Sequence, residues 1–195
     1  MGEDKALKPF LGRPLIQRVI ERLSPIADEM IVTTNRPAEY GFLTDSKVSR
    51  LWNLRLVSDL KPERGALGGL YTAVASAAHP IVAVVACDMP FASARLIEGM
   101  SRLLVEKEAD VVIAKSDGGY EPFHAVYRRV TCLPAIESAI NANQWKVIAW
   151  FPEVKVYELA GEELNSLDPD KLAFWNVNMP EEFAEAEALA LQGST

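Results

Sequence analysis

The residues that most restrict this chain are Ile81-Val-Ala-Val-Val-Ala86, an unbroken apolar run closed by Cys87-Asp88-Met89-Pro90. A strand with one wet face alternates apolar and polar residues. An unbroken run of this length instead predicts a central parallel strand with helices over both faces. The flanking segments agree, because strand-like and helix-like patterns alternate along the chain, as in α/β folds. Strands are expected at Met30–Thr34, Leu54–Val57, Ile81–Ala86, Asp110–Ala114, Phe123–Arg128 and Val154–Leu159. Helices are expected after Pro14, where a missing N–H costs nothing, over Leu67–Ala78, after the capping residue Ser93, over Thr131–Ala142 and after Pro180. Leu15, Val19, Ile20 and Leu23 make an apolar stripe on the first of these, and Glu181 and Glu182 suit the first turn of the last.

With 195 residues and no repeat or linker, the chain is expected to be one domain over 1–195. No apolar run approaches the ~20 residues that span a bilayer, and the start carries no apolar signal region, so a cytoplasmic protein without a membrane partner is expected. The net charge of −7 argues against binding a nucleic-acid backbone, which needs a basic face. Cys87 and Cys132 lie far apart and form no zinc-type cluster.

Three segments carry chemistry. Asp88 follows the apolar strand at its carboxyl end, where ligands bind in open α/β sheets. A carboxylate there can hold Mg²⁺ against a nucleotide phosphate; taken alone, it can equally end a strand and cap a turn. Ser58-Asp59-Leu-Lys-Pro-Glu-Arg-Gly65-Ala-Leu-Gly68-Gly69 leads from a strand through a Gly-rich turn into a helix. Its glycines either let backbone approach an anionic ligand or serve turn geometry and close packing. Lys5, in Gly2-Glu3-Asp4-Lys5-Ala6, is either a solvated lysine or a cation for a departing pyrophosphate. His124 and His79 are the only histidines, and no G-x-S-x-G elbow accompanies them. His124 therefore reads as packed or substrate-side. Asn178 reads as a cap for the last helix, a substrate contact, or both. Trp145, Trp150 and Trp175 read as core or rim packing.

Taken together, Met-Gly-x-Asp-Lys-Ala-Leu, Gly12-Arg-Pro-Leu15, Gly65-Ala-Leu-Gly-Gly69 and Cys87-Asp-Met-Pro90 resemble the molybdenum cofactor guanylyltransferases. The resemblance runs on through Glu121-Pro-Phe-His-Ala-Val-Tyr127, Lys146-Val-Ile and Phe174-Trp-Asn-Val-Asn-Met-Pro180, and so covers nearly the whole chain in order. It implies a Rossmann-like, three-layer nucleotidyltransferase fold of the nucleotide-diphospho-sugar transferase type. It also implies Mg²⁺-dependent transfer of GMP from GTP to molybdopterin-bound molybdenum. On that resemblance Lys5 and Asp88 are catalytic and Asp88 holds the metal. Lys5, Asp59, Gly65, Gly68 and Asp88 bind the nucleotide, and Asn176, Asn178 and His124 lie on the acceptor side. Molybdoenzymes or cofactor-assembly proteins become candidate partners.

Two departures accompany the resemblance. The family begins with a strand and a Gly-rich loop that are absent here, so the natural protein is expected to be about 20 residues longer, two elements of about ten residues each. An Asn used after the family's second strand aligns with Thr33, with Asn35 two residues on. Two rivals stand beside the main reading: a nucleotidyltransferase of the same fold using CTP or another acceptor, and an inactive relative that serves as a binding module.

Overall fold

The computed structural model describes residues 4–44, 50–116 and 118–192. Gly2 and Glu3 of the N-terminal motif lie outside them. A tight turn through Leu11 and Gly12, both at positive φ, folds the short strands β1 (Pro9–Phe10) and β2 (Arg13–Pro14) into a hairpin. Helix α1 (Leu15–Leu23) follows directly and buries the expected stripe together with Ile16.

Strands β3 (Met30–Thr33) and β4 (Leu54–Val57) pair in parallel, Met30 with Leu54 and Thr33 with Val57. Between them lies the single-turn helix α2 (Gly41–Thr44). A second sheet is built from β5 (Ile81–Val85), β6 (Val111–Ser116), β7 (Gly119–Tyr120), β8 (His124–Arg128) and β9 (Val156–Leu159). In it β8 stands between β5 and β6 and runs against both, while β9 pairs with β6 in parallel. The strands β5, β6 and β9 therefore point the same way, and β8 is reversed among them. Periodicity predicts β8 as a strand but carries no information about its direction.

Helices cover both faces. Along β6, Val111 and Ile113 pack with α3 (Gly65–Ser76) and α5 (Arg129–Asn141), through Leu67, Leu70, Val74, Ile136 and Ile140. Val112 and Ala114 point the other way, to Val19 and Leu23 of α1 and to Leu96, Met100 and Leu104 of α4 (Ala94–Glu106). Period-two alternation thus feeds two separate cores from one strand. Trp150 is fully buried in the first of them, and its indole N–H donates to the Val147 carbonyl at 2.7 Å.

The expectation of a central β5 buried on both faces needs correction. Val82 and Val84 are buried, but Ala83 is exposed, and among the described residues β5 pairs with β8 only. Among the same residues β3 pairs only with β4. Among the described residues the sheet is interrupted between β3 and β5. Helix α3 packs against both strands across the interruption.

The last part of the chain closes back on the first. After α6 (Gly161–Leu167), helix α7 (Pro180–Gln192) buries Phe183, Ala186 and Ala190. They pack with Phe10, Leu15 and Phe91. The Leu11 N–H donates to the Glu187 carboxylate at 2.6 Å. No helix among the described residues is long and apolar enough to cross a membrane.

Candidate active site

The loop after β5 carries Asp88. Met89, Pro90, Phe91 and Ala92 are buried around it, with Met89 and Ala92 in the α1/α4 core and Phe91 stacked on Trp175 at 5.6 Å. Two arginines of α1 hold the far side of the loop. Arg18 Nε donates to the Pro90 carbonyl at 3.3 Å and Arg22 Nε to the Ala92 carbonyl at 2.7 Å. The Asp88 carbonyl accepts from the Val177 N–H at 2.9 Å, which brings the Asn176-Val177-Asn178 segment against the loop. The Asp88 carboxylate itself is half-buried and is engaged by no hydrogen bond or ion pair among the described residues.

Lys5 lies on the same side. Its ammonium donates to Asn178 Oδ1. Asn178 therefore does not cap α7 with its side chain. Glu182 performs that task, its carboxylate accepting the N–H groups of Asn178 at 2.6 Å and Met179 at 2.9 Å, the returning half of a capping box. These bonds hold Glu182 below the usual carboxylate range, and Lys5 adds to the effect. Cys87 senses the same charges: burial pushes its thiol up to about 11, the Asp88 and Asp4 carboxylates add to that, and Lys5 opposes it. Lys5, Asp88 and Asn178 thus form one group, and the exposed Asn176 adjoins it.

Beside this group lies a cluster with no signal in the sequence. Asp4 Oδ2 accepts from Arg36 Nη2 at 2.6 Å and from the Tyr40 hydroxyl at 2.9 Å, while Oδ1 accepts the Ala6 N–H at 3.2 Å. Both oxygens of Asp4 are therefore committed to fixing the loop that presents Lys5. Burial, then the Asp4 bond, raises the Tyr40 phenol well above its usual range.

Asp59 ends the neighbouring strand β4. Its Oδ1 accepts the Thr72 hydroxyl at 2.7 Å and the Lys61 N–H at 2.9 Å, which ties the turn down onto α3. Its own N–H donates to Asn35 Oδ1 at 2.9 Å, so Asn35 joins the ends of β3 and β4. Thr33, the position aligned with the family's Asn, is an exposed residue at the end of β3. Gly68 is required by packing: a Cβ there would stand 2.4 Å from the Lys61 carbonyl. Gly65 starts α3 at φ +53°. Among the described residues no hydrogen bond joins this Asp59 turn to the Asp88 loop. Trp145 is 58% exposed and lies under the Arg64 guanidinium at 5.4 Å, a rim position.

His124 is fully buried at the start of β8. It lies behind the Asp88 loop rather than on an exposed surface of the site. Burial pushes its imidazole down to about 4, so the ring is neutral near pH 7. The described residues contain no group of three or more His, Cys, Asp or Glu able to hold a metal ion. A single free carboxylate nevertheless fits Mg²⁺, which takes few protein oxygens and fills its shell with phosphate oxygens and water.

Residues 1–155 match the family model of the MobA-like NTP transferase domain. The molybdenum cofactor guanylyltransferase of Desulfosudis oleivorans is 32% identical over 192 residues, covering 98% of this chain and 90% of that protein. The enzyme of the same name from Burkholderia ambifaria is 30% identical over 94% of this chain and 86% of its own length. Among solved structures, molybdopterin-guanine dinucleotide biosynthesis protein A from Archaeoglobus fulgidus superposes with a TM-score of 0.79 at 25% identity, covering 98% of this chain and 92% of that one. A 4-diphosphocytidyl-2C-methyl-D-erythritol synthase from Anaerococcus prevotii superposes with a TM-score of 0.70 at 16% identity, over 97% of this chain and 94% of that one, and shares the fold.

Proposed function

Because the chain belongs to the MobA-like NTP transferase family, we propose that it transfers GMP from GTP to molybdopterin-bound molybdenum, releasing pyrophosphate. The observation that carries this reading is the meeting of Lys5, Asp88 and Asn178 at the carboxyl end of β5. Three segments far apart in sequence place a cation, a free carboxylate and an amide at one strand end, where open α/β sheets bind nucleotides.

In the reaction, an oxygen of the acceptor's terminal phosphate attacks the α-phosphorus of GTP. The new P–O bond forms as the bond from the α-phosphorus to the bridging oxygen breaks, and pyrophosphate leaves with that electron pair. No covalent enzyme intermediate is needed, so the protein's contribution is position and charge. Asp88 would hold Mg²⁺, which supplies neutralisation of phosphate oxygens when bound. Lys5 sets its ammonium against the leaving pyrophosphate, steadied by Asn178 and by the loop that Asp4 ties down. Asp59, Gly65 and Gly68 are assigned to the nucleotide, and Asn176 and Asn178 to the acceptor. We take residues 1–195 as one cytoplasmic nucleotidyltransferase unit, with molybdoenzymes or cofactor-assembly proteins as recipients of the product.

Thermal unfolding with Mg²⁺ and GTP, CTP or ATP in turn tests the nucleotide. At 100 times Kd a ligand stabilises by about 2.7 kcal/mol, a shift of roughly 5–10 °C for a chain of this size. A shift with GTP alone supports guanylyl transfer. A CTP-selective shift moves the chain to a cytidylyl reaction, and no shift with any nucleotide favours a binding module.

A further inference from the structure

We propose that His124 is a positioning residue for the transfer reaction, holding the Asp88 loop and the Asn176–Asn178 segment in register from behind. The inference rests on the guanylyl-transfer reading above.

The loop that carries Asp88 is tied at both ends to two consecutive residues, Phe123 just before β8 and His124 at its start. At its start the Ala86 N–H donates to the Phe123 carbonyl at 2.8 Å. At its end the Ser93 N–H donates to His124 Nε2 at 3.1 Å. Between these ties the chain makes the excursion that presents the carboxylate. The first tie is backbone to backbone, and any residue at 123 supplies it. The second depends on a side chain, because only an acceptor at the position of Nε2 can take the Ser93 N–H.

Ser93 is also where α4 begins, with its hydroxyl accepting the Leu96 N–H at 3.2 Å. The histidine therefore fixes the loop's exit and the start of the helix at one point. The other side of the ring meets Phe174 edge to face, with centroids 5.3 Å apart at 80°. Phe174 opens the segment that runs through Asn176 to Asn178. One buried ring thus touches both segments that furnish the site.

The chemistry of the ring is selective. A neutral imidazole carries one proton, and a ring that accepts at Nε2 carries it at Nδ1. Among the described residues, Nδ1 is buried with no hydrogen-bond partner outside its own residue. A buried donor without a full partner destabilises. An apolar residue of the same size would fill the space without this penalty but would release Ser93. Orientation of a metal-binding carboxylate through such supporting contacts affects activity by about 10–100-fold.

The test compares His124→Phe, which keeps an aromatic ring against Phe174 and removes the acceptor, with His124→Gln, whose amide oxygen can take the place of Nε2. Dinucleotide formation is measured with GTP, Mg²⁺ and the molybdopterin acceptor, along with thermal unfolding and exchange of the Ser93 amide. His124→Phe is expected to lower kcat by about 10–100-fold with KM for GTP changed less than about threefold. It is also expected to need more Mg²⁺ for half-maximal rate and to expose the Ser93 amide to exchange. His124→Gln is expected to restore most of kcat and the protection of Ser93. Wild-type kcat and Mg²⁺ dependence in His124→Phe overturn the proposal while leaving guanylyl transfer standing. Equal loss in both variants, in step with a fall in Tm, also overturns it by showing a role in packing alone. A wild-type protein that forms no dinucleotide overturns the guanylyl-transfer reading and this inference with it.

Discussion

The β3–β4 pair and the β5–β8–β6–β9 sheet are made of similar residues and stand in different surroundings. In β6 and β8 the residues Val111 to Ala114 and Ala125 to Tyr127 are closed to solvent, with helices on both faces. In the pair, only Val32 and Leu54 are buried, and Met30, Ile31, Leu56 and Val57 are half-buried. Its contacts come from α1, α2 and one side of α3. Apolar sequence therefore does not set burial; neighbours on both faces and both edges do. The site is divided along the same line. Asp88 hangs from the covered sheet through Phe123 and His124, whereas Asp59 and Asn35 belong to the open pair. On the proposed reading, Asp88, assigned to Mg²⁺, hangs from the better-packed sheet, and Asp59, assigned to the nucleotide, belongs to the looser pair.

The sharpest way to break the comparison is Asp88→Ala. The variant should keep its fold, because the carboxylate bonds to nothing among the described residues, yet lose at least about 10²–10³-fold in dinucleotide formation. Retention of most of the activity would remove Asp88 from the metal. Next comes packing. Ile113→Ala should cost about 2–5 kcal/mol by urea unfolding, and Ile31→Ala about 1–2 kcal/mol, since Ile31 is only partly covered. Equal losses would erase the distinction between the two regions.

Acid should strike the covered sheet through His124. Its folded-state value of about 4 lies below the ordinary 6.5, so the unfolded chain takes up its proton first as pH falls. The contribution is full above about pH 6.5 and is lost progressively from there towards pH 4, about 3 kcal/mol in all. Urea midpoints at pH 7.5 and 4.5 should converge in His124→Gln relative to the parent, and an unchanged pH slope would exonerate the histidine. Hydrogen exchange should then rank the regions, with the β3–β4 amides opening at lower free energy than those of β6 and β8. The smallest effect is expected from Tyr40→Phe, which deletes one hydrogen bond to Asp4 for about 1 kcal/mol, read as a shift in the urea midpoint.

The α/β class and the strand Ile81–Val85 were legible in the sequence, since apolar runs and glycine–proline punctuation are local signals; the roles of Lys5, Asp59 and Asp88 rest on the proposal above. Strand direction was hidden, because period two is identical in either sense, and β8 runs against its neighbours. Helix α6 was missed because it buries no residue and so carries no stripe. The Asp4–Arg36–Tyr40 cluster joins positions 32 and 36 residues apart, a separation with no periodic trace. The partners of a lone histidine likewise belong to the tertiary structure. Asn178 was ambiguous because a cap and a contact ask for the same amide, and Glu182, four residues on, took the capping role.

Among the described residues nothing pairs with the edge of β5 that turns away from β8, and this bears on how the chain behaves in a tube. A row of backbone donors and acceptors on an apolar strand is a template that any extended peptide can extend. Any concentration-dependent self-association of this chain through that edge should be lowered by Ala83→Lys, as light scattering of concentrated samples can register.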